Sequence, residues 1–140
     1  MKKDLKIYQL PAGCKTKFRS FKKTISESKD KMIDFSDYNI VYEKSDYCFN
    51  SLDDIYTKFN VNHPSDFKGH SLSISDIVQI GDEWHFVDSI GFNKLDESHI
   101  KKMFCTRCSS IVFKSENQAY SFQCLTCDED LYSLEVKEKI

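Results

Sequence analysis

Two Cys-x-x-Cys motifs near the carboxyl end constrain this chain more than any other feature. Cys105 and Cys108 form the first pair, Cys124 and Cys127 form the second, and fifteen residues separate the pairs. Each short turn directs two sulfur atoms to one point, and Zn²⁺ prefers four soft ligands in a tetrahedron. The spacing therefore predicts one zinc ion held by four thiolates, a structural site with no coordination position open to water.

The residues around the cysteine pairs predict a small β-sheet. Aromatic and β-branched residues at 111–113 and 119–122 flank a polar tip at 114–118, and a third strand is predicted at 131–136. Pair, hairpin, pair and strand is the arrangement of a zinc ribbon. Ser109 and Asp128 stand where such turns often carry glycine, and both residue types tolerate turn geometry. Two disulfide bonds or a redox-active cysteine pair are the alternatives.

The cellular compartment bears on those alternatives. The amino terminus leads straight into charged and aromatic residues without an apolar signal-peptide core, and no apolar run is long enough to span a membrane. We therefore expect a cytoplasmic protein with no membrane partner, in which thiols stay reduced and zinc is favoured over disulfides. Cys14 and Cys48 lack ligand-like neighbours and are predicted to be free thiols.

The rest of the chain predicts an α+β fold, with a small mixed or antiparallel sheet and one clear helix ahead of the ribbon. That helix spans 51–60, where apolar residues recur at i, i+3, i+4 and i+7 behind a serine cap. Strands are predicted at 5–10 and 38–43, and a hairpin has its arms at 71–80 and 84–92.

The remaining segments are assigned as connections. The polar residues that follow a basic aromatic stretch at 15–23 are expected to form a short helix. Residues 93–102 are polar and charged with a weak helical signal, and we expect them to serve as a linker. The predicted domains are therefore residues 1–95 and the zinc ribbon at 96–140.

Several stretches of the first two thirds resemble the YodL-like family. The most distinctive is His-Pro-Ser-Asp-Phe-Lys-Gly-His-Ser-Leu-Ser-Ile-Ser-Asp-Ile-Val at 63–78, and Phe-Val-Asp-Ser-Ile-Gly-Phe at 86–92 is similar to the closing motif of the family. Residues 7–10, 41–43 and 52–60 also resemble family segments, so that the resemblance covers about 5–92. It implies a protein of conjugative elements and phages of low-GC bacteria, without an established set of catalytic residues.

The histidines, serines and aspartates of the shared region favour architecture over catalysis. His70 lies among alternating serines, yet no glycine-rich elbow accompanies them. Asp76 and Asp88 could act as an acid and base pair or bind a cation, but such aspartates more often cap turns and strand ends. We therefore predict that the chain is not an enzyme.

Uneven charge suggests two functions. Residues 1–33 contain ten Lys or Arg and three Asp or Glu, whereas residues 34–100 contain four and thirteen, an asymmetry that often marks an interaction surface. The first hypothesis is a protein-binding inhibitor of a host defence system, of the anti-CRISPR or anti-restriction type, acting on a host protein or nucleoprotein complex. Its candidate contact residues, in the acidic middle of the chain, are Asp53, Asp54, Asp82, Glu83 and Trp84.

The alternative is a zinc-ribbon regulator that binds nucleic acid. Its candidate residues form a basic arm interleaved with Phe18 and Phe21, in which cations would hold phosphates while the aromatic rings stack on bases. The arm consists of Lys15, Lys17, Arg19, Lys22 and Lys23. A neutral ribbon and a pI near 6.1 weigh against this hypothesis.

Overall fold

The computed structural model describes residues 2–11, 17–28, 31–115, 119–127, 129–132 and 135–137. The first two thirds contain β1 (Lys2–Gln9), α1 (Phe21–Glu27), β2 (Ile33–Asp34), the 3₁₀ helix η1 (Phe35–Asp37), β3 (Asn39–Cys48), α2 (Leu52–Val61), β4 (Ile77–Ile80), β5 (Glu83–Val87) and β6 (Phe92–Leu95). The elements that follow are β7 (Ile100–Lys101), β8 (Met103–Cys105), β9 (Ile111–Lys114), β10 (Phe122–Cys124), β11 (Glu129–Leu131) and β12 (Val136–Lys137).

A five-stranded sheet in the order β3-β1-β4-β5-β6 forms the centre of the fold, and all of its pairings are antiparallel. Strands β2 and β7 form a separate two-stranded parallel sheet. The strand predicted at 5–10 and the turn at 81–82 between two paired strands are confirmed. The fold is thus a mixed α+β fold with mostly antiparallel sheets.

Helix α2 forms where the sequence predicts a helix. Ser51 caps it by accepting a hydrogen bond from the amide of Asp54 at 3.2 Å, and Ile55 and Phe59 are buried on its inner face. The helix ends at Val61, ahead of Pro64, because a proline disfavours helical geometry in the residue before it.

The prediction of one clear helix is not exact, because the described part of the chain contains two α-helices. A short helix is also expected after the basic aromatic stretch at 15–23, and the second helix overlaps the end of that stretch. The second is α1, which has little apolar periodicity but a serine cap: Ser20 accepts from the amide of Lys23 at 3.3 Å. Phe21 and Ile25 pack against the core and hold this short helix in place.

Two predicted segments also differ from the structure. Residues 71–76 form turns instead of a strand, because the Asp76 carboxylate binds the Ser73 amide at 2.8 Å and Ser75 adopts a φ of 83°. Residues 93–102 are not helical: they contain β6, paired with β5, and β7, paired with β2. The second arm of the hairpin ends at Val87, and a loop at 88–91 leads into β6.

The cysteine-bearing strands form a second five-stranded sheet, in the order β11-β10-β9-β8-β12, which we call the ribbon. Its hairpin strands are β9 and β10, and the predicted tip at 116–118 lies outside the described residues. Where one strand is predicted at 131–136, the structure has β11 and β12 on either side of two residues that are not described.

The central sheet has an apolar cluster on each face. The first cluster includes Ile55 and Phe59 of α2, and the second includes Phe35 of η1 and Phe113 of β9. A third, smaller cluster lies within the ribbon and contains Cys105, Val112, Phe122, Cys124 and Leu131. Neighbouring residues of β9 therefore belong to two different cores.

Among the described residues, no helix has the length and apolar character needed to cross a membrane.

Candidate functional site

The four cysteines of the two Cys-x-x-Cys motifs converge in the ribbon. Cys105 ends β8 and Cys124 ends β10, while Cys108 and Cys127 lie in the turns that follow these strands. All four Sγ atoms lie within 4.8 Å of one another, with Cys105 and Cys127 at 4.0 Å and Cys108 and Cys124 at 3.5 Å. One metal ion could therefore bind all four sulfur atoms.

The backbone of each turn supports a thiolate. The amide of Arg107 donates to Sγ of Cys105 at 3.4 Å, and the amide of Cys127 donates to Sγ of Cys124 at the same distance. Ser109 has a φ of 63°, the left-handed conformation that explains why glycine is common at this position of such turns. Asp128, the equivalent residue of the second turn, lies outside the described residues.

The sulfur atoms strongly influence one another's ionisation. Hydrogen bonds from Ser110 lower the pKa of Cys108 to about 6. The neighbouring Cys108, followed by burial, raises the pKa of Cys127 to about 12. Four thiolates this close repel one another, so the cluster keeps protons on some sulfur atoms unless a cation neutralises the charge.

The cations of the ribbon are largely engaged with acids of the same chain. Arg107 forms ion pairs with Glu129 and with Glu135, the latter at 2.8 Å, and these carboxylates raise the pKa of its guanidinium. Lys114 lies 3.7 Å from the carboxylate of Asp34. Within the described part of the ribbon, these ion pairs offset the positive charges of Arg107 and Lys114.

The structure only partly assembles the basic arm. Lys17 lies over the exposed ring of Phe18 at 5.2 Å, and Lys22 and Lys23 are exposed on the first turn of α1. Arg19 is ion-paired with Glu27. The arm's other aromatic residue, Phe21, packs edge-on against Phe86 and His99, and Lys15 lies outside the described residues.

The acidic candidates lie in two separate places. Asp53 and Asp54 stand in the first turn of α2. Asp53 shares a groove with Val87, which ends β5, and with the start of the loop at 88–91. Asp82 and Glu83 lie at the opposite end of β5, where Glu83 pairs with Lys94 at 3.3 Å. The structure does not join these residues into one acidic surface.

Trp84 is part of an aromatic cluster. Its ring stacks on Tyr8 with centroids 5.5 Å apart and meets Phe35 edge-on at 4.8 Å. Lys102 lies over the Trp84 ring at 4.6 Å. These contacts pack the half-buried Trp84, proposed from the sequence as a contact residue, against the second apolar cluster.

Asp76 organises the turn ahead of β4. It is fully buried, and its Oδ2 accepts from the Ser73 amide at 2.8 Å and from Nε2 of Gln9 at 3.0 Å. Gln9 also donates to the carbonyl of His70 and accepts from its amide. Burial raises the pKa of Asp76 to about 7. Sequence reasoning missed Gln9, whose only signal was a polar residue on an otherwise apolar end of β1.

Asp88 caps helix α1 from a distant part of the chain. Its Oδ1 accepts from the amide of Phe21 at 3.1 Å and from that of Ser89 at 2.8 Å, and its Oδ2 accepts from Asn93. Asp76 and Asp88 thus both bind backbone amides, as the architectural interpretation predicts.

Comparisons with known proteins identify the larger part of the chain. A sequence model described as the YodL-like domain matches residues 4–97, well over half of the chain, and ends before the first of the four ribbon cysteines. Neither the curated proteins nor the solved structures gave a significant match. The chain therefore belongs to the YodL-like domain family.

Proposed function

We propose that this chain is a non-enzymatic protein-binding protein with one structural zinc ion in its ribbon, and that its partner is a host protein of a defence system. The observation that carries the protein-binding part is the exposed side chain of Ile90, on the loop next to the contacting rings of Tyr56 and Phe92. We call these three residues the apolar patch.

Zinc is the metal that fits the donor set best. In a tetrahedron with Zn–S bonds of about 2.3 Å, neighbouring sulfur atoms lie about 3.8 Å apart. The distances of 4.0 Å and 3.5 Å between cysteine sulfur atoms agree with this spacing. Four thiolates also select zinc over hard cations such as Mg²⁺ or Ca²⁺, which prefer oxygen ligands.

The ribbon needs such a metal to be ordered. Among the described residues, the buried side chains of its cluster other than cysteines are Val112, Phe122 and Leu131. A core this small rarely orders so short a stretch of chain unless a metal, disulfides or other cross-links support it. Structural zinc contributes about 10–16 kcal/mol in comparable small sites. Elemental analysis of the purified, reduced protein should find one zinc ion per chain, and a metal-free or iron-containing protein would contradict the assignment.

The chemistry of the polar residues supports a non-enzymatic role. Asp76 and Asp88 both accept hydrogen bonds from backbone amides, as structural aspartates in turns do, and Asp76 is fully buried. Four thiolates fill a tetrahedral metal site, so that no position remains for water or substrate.

The apolar patch provides a surface for a protein partner. Ile90 is 93 % exposed on the loop at 88–91, which is closed by a hydrogen bond of 3.0 Å from the Asp88 amide to the Gly91 carbonyl. Phe92, which follows this loop, contacts Tyr56 of α2 with ring centroids 6.4 Å apart. A large apolar side chain held on a tight loop loses little entropy when it binds, as is typical of interface anchors.

A double variant tests this patch. The double replacement of Tyr56 by Ala and Ile90 by Ser should abolish function while leaving the circular dichroism and the zinc content unchanged. Val61→Ser is a matched control, because Val61 is 80 % exposed on the same helix but outside the patch. Retained function in the double variant would exclude the patch as the binding surface.

The family's association with mobile elements supports a host defence protein as the partner. Expression of the chain in bacteria with an active restriction or CRISPR system should raise the plating efficiency of a targeted phage, and the double variant should not. If plating is unchanged across a panel of such systems, the inhibitor form of the proposal fails.

Nucleic-acid binding is a second candidate function. It is supported by the exposed ring of Phe18 beside Lys17, with Lys22 and Lys23 nearby. A mobility-shift assay at moderate salt tests it with wild-type protein and a triple Lys17, Lys22, Lys23→Glu variant. Binding that the triple variant loses would favour this function, and no shift at micromolar protein would remove it.

A further inference from the structure

We infer that the YodL-like domain carries an aromatic docking surface, formed by Tyr8, Phe35 and Trp84, and that the metal-bound ribbon of the same chain occupies it through Phe113. The inference takes the zinc ion to be bound as proposed, and it does not depend on the identity of any partner. The contact joins the YodL-like domain to the ribbon that carries the cysteine motifs.

The contacts of Phe113 define the surface. Its ring lies 5.5 Å from that of Phe35 and 6.2 Å from that of Tyr8, between centroids. Trp84 contacts both of these rings, at 4.8 Å and 5.5 Å. Phe113 is only 4 % exposed, so the ribbon buries this ring almost completely against residues of the family domain.

Strand β9 directs two apolar side chains, two residues apart, to the aromatic surface. Ile111 and Phe113 of β9 both belong to the cluster around Phe35, while Val112 between them belongs to the core of the ribbon. This alternation follows from the pleat of a strand, which turns successive side chains to opposite faces.

Strand β9 is held on both sides by strands that carry metal ligands. Phe104, the neighbour of Cys105 on β8, pairs with Ile111, and Gln123, the neighbour of Cys124 on β10, pairs with Phe113. The position of Phe113 therefore depends on the two strands that the metal ties together.

Two lysine side chains stabilise the edge of the contact. Lys114, next to Phe113, lies 3.7 Å from a carboxylate oxygen of Asp34, and Lys102 covers the Trp84 ring at 4.6 Å. Phe113, Lys114 and Lys102 all come from outside residues 4–97, the part of the chain that the family model matches. The cover of the aromatic surface is thus supplied by the ribbon together with Lys102, the residue just before it, and release of the metal should uncover the surface.

The single tryptophan of the chain makes this measurable, because Trp84 lies in the surface itself. Full-length protein in reducing buffer is treated with a zinc chelator, and the released metal is quantified separately. We expect the Trp84 emission to move to longer wavelengths and an apolar dye to bind. Hydrogen-exchange protection of β1 and η1 should fall by roughly tenfold or more. Zinc added back should reverse all three changes.

A variant isolates the contact from the metal. Phe113→Ala should keep its zinc, because Phe113 is not a ligand and Val112 still fills the ribbon core, yet it should show the same shift of Trp84 emission. Phe113→Leu, which retains apolar volume, should restore most of the wild-type spectrum. Leu125→Ala, at an exposed position of the ribbon, is the matched control and should leave the emission unchanged.

Two results would overturn the inference. One is loss of the metal that leaves the Trp84 emission and the protection of β1 unchanged, and the other is a Phe113→Ala variant with a wild-type spectrum. Protein that contains no zinc as purified would instead contradict the proposed metal, and the Phe113 variants would still decide whether the ribbon occupies the aromatic surface.

Discussion

A Cβ atom on residue 69 would lie 2.0 Å from Oε1 of Gln9, so Gly69 is the residue that allows the Gln9 side chain to reach His70 and Asp76. The conflicting atom ends a flexible side chain, but hydrogen bonds to His70 and Asp76 fix it in a buried position. Gly69 therefore affects stability through these hydrogen bonds of Gln9, which form a polar bridge to His70 and Asp76.

We expect Gly69→Ala to lower the free energy of unfolding by about 1–3 kcal/mol, because Gln9 must give up part of this bridge. Urea unfolding of the metal-bound protein measures the loss. Lys68→Ala, at the exposed neighbouring position, should change the stability by less than about 0.5 kcal/mol. Equal stability of the two variants would mean that Gln9 moves away at no cost.

Asp88→Ala should destabilise helix α1, because the carboxylate that caps the Phe21 amide is removed. Loss of a cap of this kind costs about 0.5–2 kcal/mol. Hydrogen exchange should show faster exchange in α1 and an unchanged rate in α2. Asp82→Ala removes an exposed aspartate from the turn at 81–82 and should affect neither helix.

The stability contributed by Asp76 should fall as the pH rises. Its pKa is about 7 in the folded protein against an ordinary value of 3.8, so the folded state holds a proton that the unfolded chain has lost between these pH values. Folding is therefore favoured most at the acid end of this window, and the advantage is lost by neutral pH.

The difference in stability between Asp76→Asn and the wild type isolates this effect. Because the variant has no charge to gain at this position, it should become more stable relative to wild type by about 2–3 kcal/mol from pH 5 to pH 7. Parallel stability curves for Asp76→Asn and wild type would show that Asp76 ionises normally.

Cys108→Ser should reduce zinc binding and lower the thermal midpoint, because three thiolates and a hydroxyl hold zinc less well than four thiolates. Elemental analysis and thermal unfolding with and without added zinc measure the two effects. Cys48→Ser replaces an exposed cysteine outside the cluster and should retain one zinc ion per chain. A metal content that survives in both variants would argue against Cys108 as a ligand.

Local signals in the sequence explain which parts of this fold could be predicted. The cysteine cluster requires only two short turns and a hairpin, and helix α2 carries its own cap and apolar stripe, so both could be predicted from neighbouring residues. The serines at 71–75 alternate with apolar residues as a strand would, but the hydrogen bond from the Ser73 amide to Asp76 turns the chain instead. The alternation of serines and apolar residues does not show whether the turn or the strand is more stable here.

Long-range pairing explains the rest. Residues 93–102 look like a polar linker, yet Leu95 pairs with Trp84 and Ile100 with Ile33, which lies far away in the sequence. The role of Phe113 is likewise set by Phe35 and Tyr8, residues that precede it by most of the length of the family domain. The pattern within β9 indicates a strand, but it does not show which side chain packs against the family domain instead of the ribbon core.

Strand β9 limits how the length of this chain can vary. Inserting or deleting a single residue between Cys108 and Lys114 would exchange the faces of the strand, sending Val112 towards Tyr8 and the Phe113 ring into the small space beside the thiolates. Such a shift would damage the metal site and the family domain together. Lineages that alter this segment should therefore gain or lose residues in pairs.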